Sequence, residues 1–177
     1  MNELPITQIN FRPGVIDLGM GNPDFDLLPV DLLAQSAEEY FATNDPRTLQ
    51  YGIEQGDGYF RRSLSAFLSN RYGKDVDPGL LFVTAGASSA LDLLCSLYTQ
   101  PGDVIFVEEP TYFLALRIFE DHGLDAVPIP TDADGINVDI LEQRLSNFDP
   151  KFVYTIPVFQ NPNGTTLSPG RREKFVQ

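Results

Sequence analysis

The sequence is poor in the residues from which metal centres and disulfides are made. Its 177 residues include one cysteine, Cys95, one histidine, His122, and no tryptophan. A single cysteine cannot form a disulfide within the chain, and a single histidine excludes a metal site built from several imidazoles. Cys95 stands in the apolar run LLCSL, residues 93–97, which predicts a small core residue.

Positive charge and long apolar runs are also scarce. The chain has 12 lysines and arginines and 25 acidic residues, so the net charge is −13. This charge argues against a nucleic-acid-binding surface. No run approaches the ~18 apolar residues of a membrane span. Residues 1–12 lack the basic-then-apolar pattern of a secretory signal. We therefore expect a soluble cytoplasmic protein with neither nucleic acid nor membrane as partner.

What the sequence does have is an alternation of apolar runs and amphipathic segments from residue 80 onward. Apolar strands between helices are typical of a parallel sheet covered on both faces, and prolines exclude a long helix from residues 1–30. We therefore predict an α/β fold: a parallel-rich sheet flanked by helices, with an N-terminal arm. The predicted strands are Leu80–Thr84, Val104–Val107, Asp125–Ile129 and Phe152–Ile156; the predicted helices are Val30–Phe41, Gly58–Tyr72, Ser88–Tyr98, Tyr112–Asp121 and Val138–Leu145, with another beginning at Pro169.

Small residues join the first predicted strand to its helix, in the stretch TAGASSALDLL of residues 84–94. Ligands of open parallel sheets bind beyond the carboxyl ends of the strands. The amino terminus of a helix offers free amides and a positive dipole end to an anion. Ala87 and Ser88 thus favour a phosphate site, although a tight turn with a serine cap explains the stretch equally well.

Three other stretches bear candidate ligand contacts. Tyr112, in EEPTYFLAL, follows the second strand, where its ring could stack on an aromatic ligand. Asn161, in QNPNGTTLS, follows the fourth strand and could hydrogen-bond a ligand oxygen, although NPNG also has turn chemistry. Gly21, in DLGMGNPDF, lets the backbone come close to another group. Packing or turn formation accounts for each stretch when it is taken alone.

Together these stretches resemble the class I/II, fold-type I family of pyridoxal-phosphate-dependent aminotransferases. GNPDF, YG, TAGASSALDLL, PGDVIFVEEPTY and QNPNGTTLS occur in the family's order and at its spacing, from about residue 15 onward. The motifs are most similar to those of the branch that holds 2-aminoadipate and aromatic aminotransferases and the aminotransferase-like domain of bacterial regulators. The resemblance implies a small-domain segment or arm over residues 1–30 and an incomplete cofactor-binding large domain over residues 31–177. Because the sequence stops about one turn into a predicted helix, we expect the N-terminal part of a longer protein.

The resemblance also implies the cofactor, pyridoxal 5'-phosphate, and its contacts. Ala87 and Ser88 look like the phosphate cup, Tyr112 like the ring that stacks on the pyridine, and Asn161 like the partner of the phenolic oxygen. Asn163 departs from the pattern, since threonine is more usual there, and we expect little effect from it.

The remaining implied contacts concern the partner subunit and the substrate. Tyr51 matches a tyrosine that reaches the phosphate of the neighbouring subunit, which implies a homodimer. Gly21 matches a backbone position that lies against the substrate. The family's substrates are an amino acid and a 2-oxo acid.

The family also needs a lysine for the Schiff base, an aspartate on the pyridine nitrogen and an arginine for the substrate carboxylate, all after the asparagine motif. The lysines of this chain are Lys74, Lys151 and Lys174, and we expect each at a solvated surface. The chain is therefore predicted to lack the Schiff-base lysine and to be inactive alone.

Three other functions remain compatible with the sequence. The chain could be a non-catalytic domain of a regulator that senses the cofactor or an amino acid. It could be a degenerate paralogue that acts as a binding module. It could also belong to a lyase or synthase of the same fold, because the contacts that select the reaction are mostly missing here.

Overall fold

The computed structural model describes residues 14–16, 21 and 23–177. The chain divides into two compact units, one that ends at Gly52 and one that spans Ile53–Gln177. Most of the predicted arm, residues 1–30, lies outside the described residues, and so does the Asn22 of the GNPDF motif. The division into an arm and a large domain stays a prediction.

The first unit is built around one helix, α1, at Val30–Ala42. It agrees with the helix predicted over Val30–Phe41. Short 3-10 turns at Phe25–Leu27 and Pro46–Leu49 flank it, and the side chains of Asp24 and Asp45 cap them. Helix α1 has no buried residue.

The second unit opens with helix α2, at Gly58–Tyr72, where the sequence predicted it. The Asp57 side chain accepts a 2.8 Å hydrogen bond from the backbone N–H of Phe60 and so caps the amino terminus. Gly73 ends the helix with φ 64°, a left-handed conformation that glycine adopts without a steric penalty. Both ends of α2 are therefore specified by adjacent residues.

The centre of the second unit is a four-stranded sheet in the order β3-β2-β1-β4. Strand β1 pairs in parallel with β2 and with β4, whereas β2 pairs antiparallel with β3. The parallel-rich α/β architecture is thus confirmed, with one antiparallel edge. The elements are α3 at Ala87–Tyr98, β1 at Val104–Glu109, α4 at Phe113–Asp121, β2 at Asp125–Asp132, β3 at Gly135–Ile136, α5 at Val138–Leu145, β4 at Val153–Tyr154 and α6 at Pro169–Phe175.

Two details of the predicted strands are corrected. The strand predicted at Leu80–Thr84 is wrong: Pro78–Leu80 is a 3-10 turn, and residues 81–84 belong to no strand. A strand needs a partner for its ladder, and in the described part of the chain this segment has one such contact, from the N–H of Val83 to the carbonyl of Gln55 at 3.0 Å. Strand β3 was not predicted, because two residues are too short for a detectable pattern.

Strand β1 divides the core between the two faces of the sheet. Ile105 and Val107 belong to one buried cluster with Cys95 and Phe119, whereas Phe106 belongs to the other. Alternate side chains of a strand point to opposite faces, so both faces of β1 are covered. Cys95 is fully buried, as predicted. Among the described residues no helix has the length and apolarity required to cross a membrane.

Candidate functional site

The carboxyl ends of β1 and β4 lie at the same edge of the sheet, because the two strands run parallel with Phe106 opposite Val153. The segment that leads to Tyr112 leaves this edge after β1, and the loop that contains Asn161 leaves it after β4. Ligands of open α/β sheets bind at such edges. Two of the predicted contact residues therefore emerge from adjacent strands.

The amino terminus of α3 has no side-chain cap. Gly86 occupies the cap position with φ 86°, and no side chain accepts a hydrogen bond from the first turn. Asp57 caps α2 and Asn137 caps α5, whereas α1, α4 and α6 also lack a side-chain cap. Ala87 and Ser88 begin the helix and are exposed. The first-turn amides are thus available to an acceptor outside this helix, and the helix dipole favours an anion there.

Tyr112 stands at the cap position of α4 and is half-buried. Its ring packs against the same core cluster as Leu91, which lies one turn after Ala87 in α3, and as Tyr154 at the end of β4. It also makes an edge contact with Phe113, with ring centroids 5.4 Å apart. Packing against this cluster and the contact with Phe113 thus restrict the ring position.

The loop after β4 is held at several points, while the Asn161 side chain is exposed and has no hydrogen bond to the described residues. The N–H of Gln160 donates to the carbonyl of Thr165 at 2.8 Å. The Asn163 amide donates to the hydroxyl of Thr131 on β2 at 3.1 Å. The asparagine that departs from the family pattern therefore ties the loop to the sheet, and the Asn161 amide remains available for a ligand oxygen.

A buried polar pair, Glu108 and Gln160, lies at this edge and was not predicted from the sequence. Each residue is 2% exposed. The Glu108 carboxylate accepts hydrogen bonds from the Thr155 hydroxyl at 2.6 Å, from the N–H of Ile156 at 3.1 Å and from Gln160 Nε2 at 3.1 Å. The available signal was an acidic residue that continues the apolar strand, since every residue from Ile105 to Glu108 is buried.

Tyr154 lies next to this pair at the end of β4. Burial, followed by the negative charge of Glu108, raises the pKa of the Tyr154 phenol. The centroid of its ring lies 5.4 Å from that of the Phe119 ring. The phenol is therefore a neutral group at this edge at physiological pH.

Gly21 and Tyr51 belong to the first unit. Both are exposed, and a Cβ on Gly21 would meet no atom of the described residues within 4 Å. The Tyr51 side chain is fully exposed. It is therefore open to a contact with another chain.

Two of the three lysines pair with carboxylates, and the third is exposed. Lys151 precedes β4 at its amino end, with Nζ 3.9 Å from the carboxylate of Asp103, which precedes β1. Lys174 of α6 pairs with Asp139 and Glu142 of α5. Lys74 follows the end of α2 and is exposed. In a parallel sheet the amino and carboxyl ends of the strands are opposite edges, so Lys151 lies at the edge opposite Tyr112.

Known proteins are similar to this chain over nearly its whole length. The family model "Aminotransferase class I and II" matches residues 13–177. Aromatic-amino-acid aminotransferase 1 of Thermococcus litoralis is 36% identical over 92% of this chain and 40% of its own length. An uncharacterized HTH-type transcriptional regulator of Bacillus subtilis, YisV, is 30% identical over 97% of this chain and 35% of its own length.

A solved structure shares the fold. The kynurenine aminotransferase of Pyrococcus horikoshii, crystallised in complex with PMP, superposes with a TM-score of 0.75 at 34% identity, over 84% of this chain and 38% of that one. The chain thus spans about two fifths of the length of these relatives.

Proposed function

The chain belongs to the class I and II aminotransferase family, and we propose that it forms part of a protein that binds pyridoxal 5'-phosphate for the transfer of an amino group between an amino acid and a 2-oxo acid. The observation that carries the proposal is the uncapped amino terminus of α3, a 12-residue helix that begins with exposed Ala87 and Ser88. The phosphate of the cofactor is the anion that fits this terminus.

Tyr112 and Asn161 fit the rest of the same cofactor. The half-buried Tyr112 ring packs against the core cluster to which Cys95 of α3 belongs and would lie against the flat pyridine. The exposed Asn161 amide would donate to the phenolic oxygen, and a hydrogen bond to a charged oxygen lowers the pKa of the group that carries it. When bound, the cofactor supplies the electron sink that makes amino-group transfer possible. The roles of these residues are to hold the phosphate, orient the ring and set the charge of that oxygen.

Gly21 and Tyr51 would supply substrate and dimer contacts. We propose that the backbone at Gly21 lies against the substrate and that the fully exposed Tyr51 reaches the phosphate site of a partner subunit in a cytoplasmic homodimer. Tyrosine combines a large apolar ring with a polar hydroxyl, which suits such an interface. Residues 1–30 would then form the arm or small-domain segment, and residues 31–177 part of the large domain.

We also propose that none of the three lysines attaches covalently to the cofactor. Lys174 is paired with two carboxylates of α5, and Lys151 lies at the amino edge of the sheet. A chain without that lysine would hold the cofactor without turning substrate over. Borohydride reduction of the 177-residue chain with one equivalent of cofactor, followed by peptide mass analysis, should find no adduct at these lysines.

A second candidate function is ligand sensing without turnover. The similarity to the regulator YisV over 97% of this chain favours it, because the same site would then bind the cofactor or an amino-acid adduct as a signal. Addition of an amino acid to the cofactor-loaded natural protein separates the two. An aminotransferase releases a 2-oxo acid, whereas a sensor changes its cofactor spectrum without releasing one.

The test of cofactor binding compares pyridoxal 5'-phosphate with pyridoxal, which lacks the phosphate. Isothermal titration should show binding of the first at least about tenfold tighter than that of the second, because a tenfold ratio needs only about 1.4 kcal/mol from the phosphate contacts. Inorganic phosphate should compete. Equal affinity for the two compounds would contradict a phosphate site at α3.

A further inference from the structure

We propose that Glu108 and Gln160 are positioning residues that set the relative placement of Tyr112 and Asn161. The inference rests on the proposed function, since it concerns the residues that would contact the cofactor. Neither Glu108 nor Gln160 is assigned a cofactor contact. Both act through the backbone segments that they connect.

The Glu108 carboxylate is buried at the end of β1. A carboxylate with 2% exposure is costly unless hydrogen bonds replace its water. In the described part of the chain no cation lies within ion-pair distance of it. Its compensation therefore comes from the three donors given above, the Thr155 hydroxyl, the Ile156 N–H and Gln160 Nε2. All three belong to the segment that follows β4, so Glu108 holds this segment against the end of β1.

Gln160 bridges the segment after β1 and the loop after β4. Its Nε2 also donates to the carbonyl of Pro110 at 2.7 Å, two residues before Tyr112. Its Oε1 accepts from the N–H of Asn163 at 2.9 Å. The amide donates to two acceptors and accepts from one donor, so its orientation is determined by its partners. One side chain thus touches both the segment that carries Tyr112 and the loop that carries Asn161.

These contacts determine how Asn161 is presented to a ligand. Asn161 is the next residue after Gln160, and its own side chain has no hydrogen bond to the described residues. Its direction therefore depends on the backbone that Gln160 and Glu108 hold. Contact residues must be held within a fraction of an ångström by the groups behind them for tight and oriented binding. Loss of either polar side chain should loosen the ring and the phenolic-oxygen contacts together.

The test uses variants that break or keep the hydrogen bonds. Glu108→Leu and Gln160→Met keep the approximate size but remove the polar contacts. Thr155→Val removes one donor. Glu108→Gln is the conservative variant, because its carbonyl oxygen can accept from Ile156 and Gln160 while its amide donates to the Thr155 hydroxyl, which can accept as well as donate.

Two properties are measured on the natural full-length protein: the affinity for pyridoxal 5'-phosphate and the induced circular dichroism of the bound cofactor at saturation. The second reports how the ring is held and requires no turnover. Glu108→Leu and Gln160→Met should weaken binding by roughly tenfold, the size seen when groups that orient a ligand-binding residue are removed, and should change the dichroism. Glu108→Gln should restore both properties.

The control is Val138→Ala, a buried position at the start of α5 that packs in the other core cluster, apart from the one that Tyr112 contacts. It should lower the melting temperature and leave both cofactor properties unchanged. If Glu108→Leu does not fold, Gln160→Met and Thr155→Val decide. Unchanged affinity and dichroism in these variants would overturn the positioning role while cofactor binding stands. A failure of the unsubstituted protein to bind the cofactor would overturn the proposed function and this inference with it.

Discussion

Glu108 and Gln160 are 52 positions apart in sequence and meet through a 3.1 Å hydrogen bond at the carboxyl edge of the sheet. The contact joins the end of β1 to the loop after β4, so the two segments that bear Tyr112 and Asn161 share one buried polar connection. Buried networks of this kind specify a single arrangement when every member is satisfied.

The first prediction concerns Ser88, the second residue of α3. Ser88→Asp should raise helix stability slightly, by about 0.3–1 kcal/mol, because an acidic side chain in the first turn favours the dipole. The same substitution should weaken pyridoxal 5'-phosphate binding at least about tenfold, through repulsion of the phosphate. Urea unfolding and isothermal titration measure the two effects.

The matched control is Ser63→Asp, the same charge change at an exposed position of α2. It should leave cofactor affinity within about twofold, because screening by salt suppresses distant surface charges. Equal losses of affinity at both positions would indicate a general charge effect instead of a phosphate site.

The second prediction concerns Arg61 in α2, which is 9% exposed. Its guanidinium donates twice to the carbonyl of Pro78, at 3.1 and 2.9 Å, and once to Gln55 Oε1 at 2.8 Å. Lysine cannot reproduce this forked geometry, so Arg61→Lys should lower the free energy of unfolding by about 1.5–3 kcal/mol. Urea titration checks the value. Arg62→Lys, at the exposed neighbour, should change it by less than about 0.5 kcal/mol.

The third prediction is a pH dependence at the contact between α6 and β2. Arg171 donates to both carboxylate oxygens of Asp132, at 2.7 and 2.6 Å. This hydrogen bonding lowers the pKa of Asp132 below its ordinary value. A lowered native pKa stabilises the fold above the unfolded pKa of about 4, and the contribution is lost as the pH falls through the native pKa.

Asp132→Asn should therefore reduce stability at pH 7, and this difference should shrink as the pH falls below about 4. Urea unfolding at a series of pH values measures the convergence. Asp149→Asn is the control, since the exposed Asp149 carboxylate has no hydrogen bond or ion pair among the described residues. A constant difference between Asp132→Asn and the unsubstituted chain at all pH values would rule out the ionic contribution.

The fourth prediction concerns Cys95, which is fully buried in α3. Burial, with a smaller contribution from the charge of Asp92, raises the pKa of its thiol. Because the thiolate is the reactive form, a thiol reagent at pH 8 should label Cys95 only after unfolding. Ser96→Cys introduces a second thiol at the adjacent exposed position, which should react in the folded state. Rapid labelling of Cys95 in the native chain would contradict the packing of the core.

The ends of two helices of this protein could be predicted from sequence because neighbouring residues specify them. Asp57 caps α2, Gly73 ends it, and Asn137 caps α5 by accepting a 3.1 Å hydrogen bond from the N–H of Ile140. Such signals act within one turn of the chain. The candidate contacts at Ala87, Tyr112 and Asn161 were found in the same way, since each stands at or just beyond the end of a predicted element.

Contacts between distant parts of the chain were decided by the tertiary structure. The apolar residues 81–84 have strand-like composition, yet they form no strand in the described structure, because pairing depends on a partner that local sequence does not specify. Glu108 could be read as an acidic residue in an apolar strand, but its donors lie about 50 positions away. Local sequence determined where the elements begin and end, because caps and turns act between neighbours. Tertiary structure decided which elements pair and which charges are buried, because both depend on groups brought together only by folding.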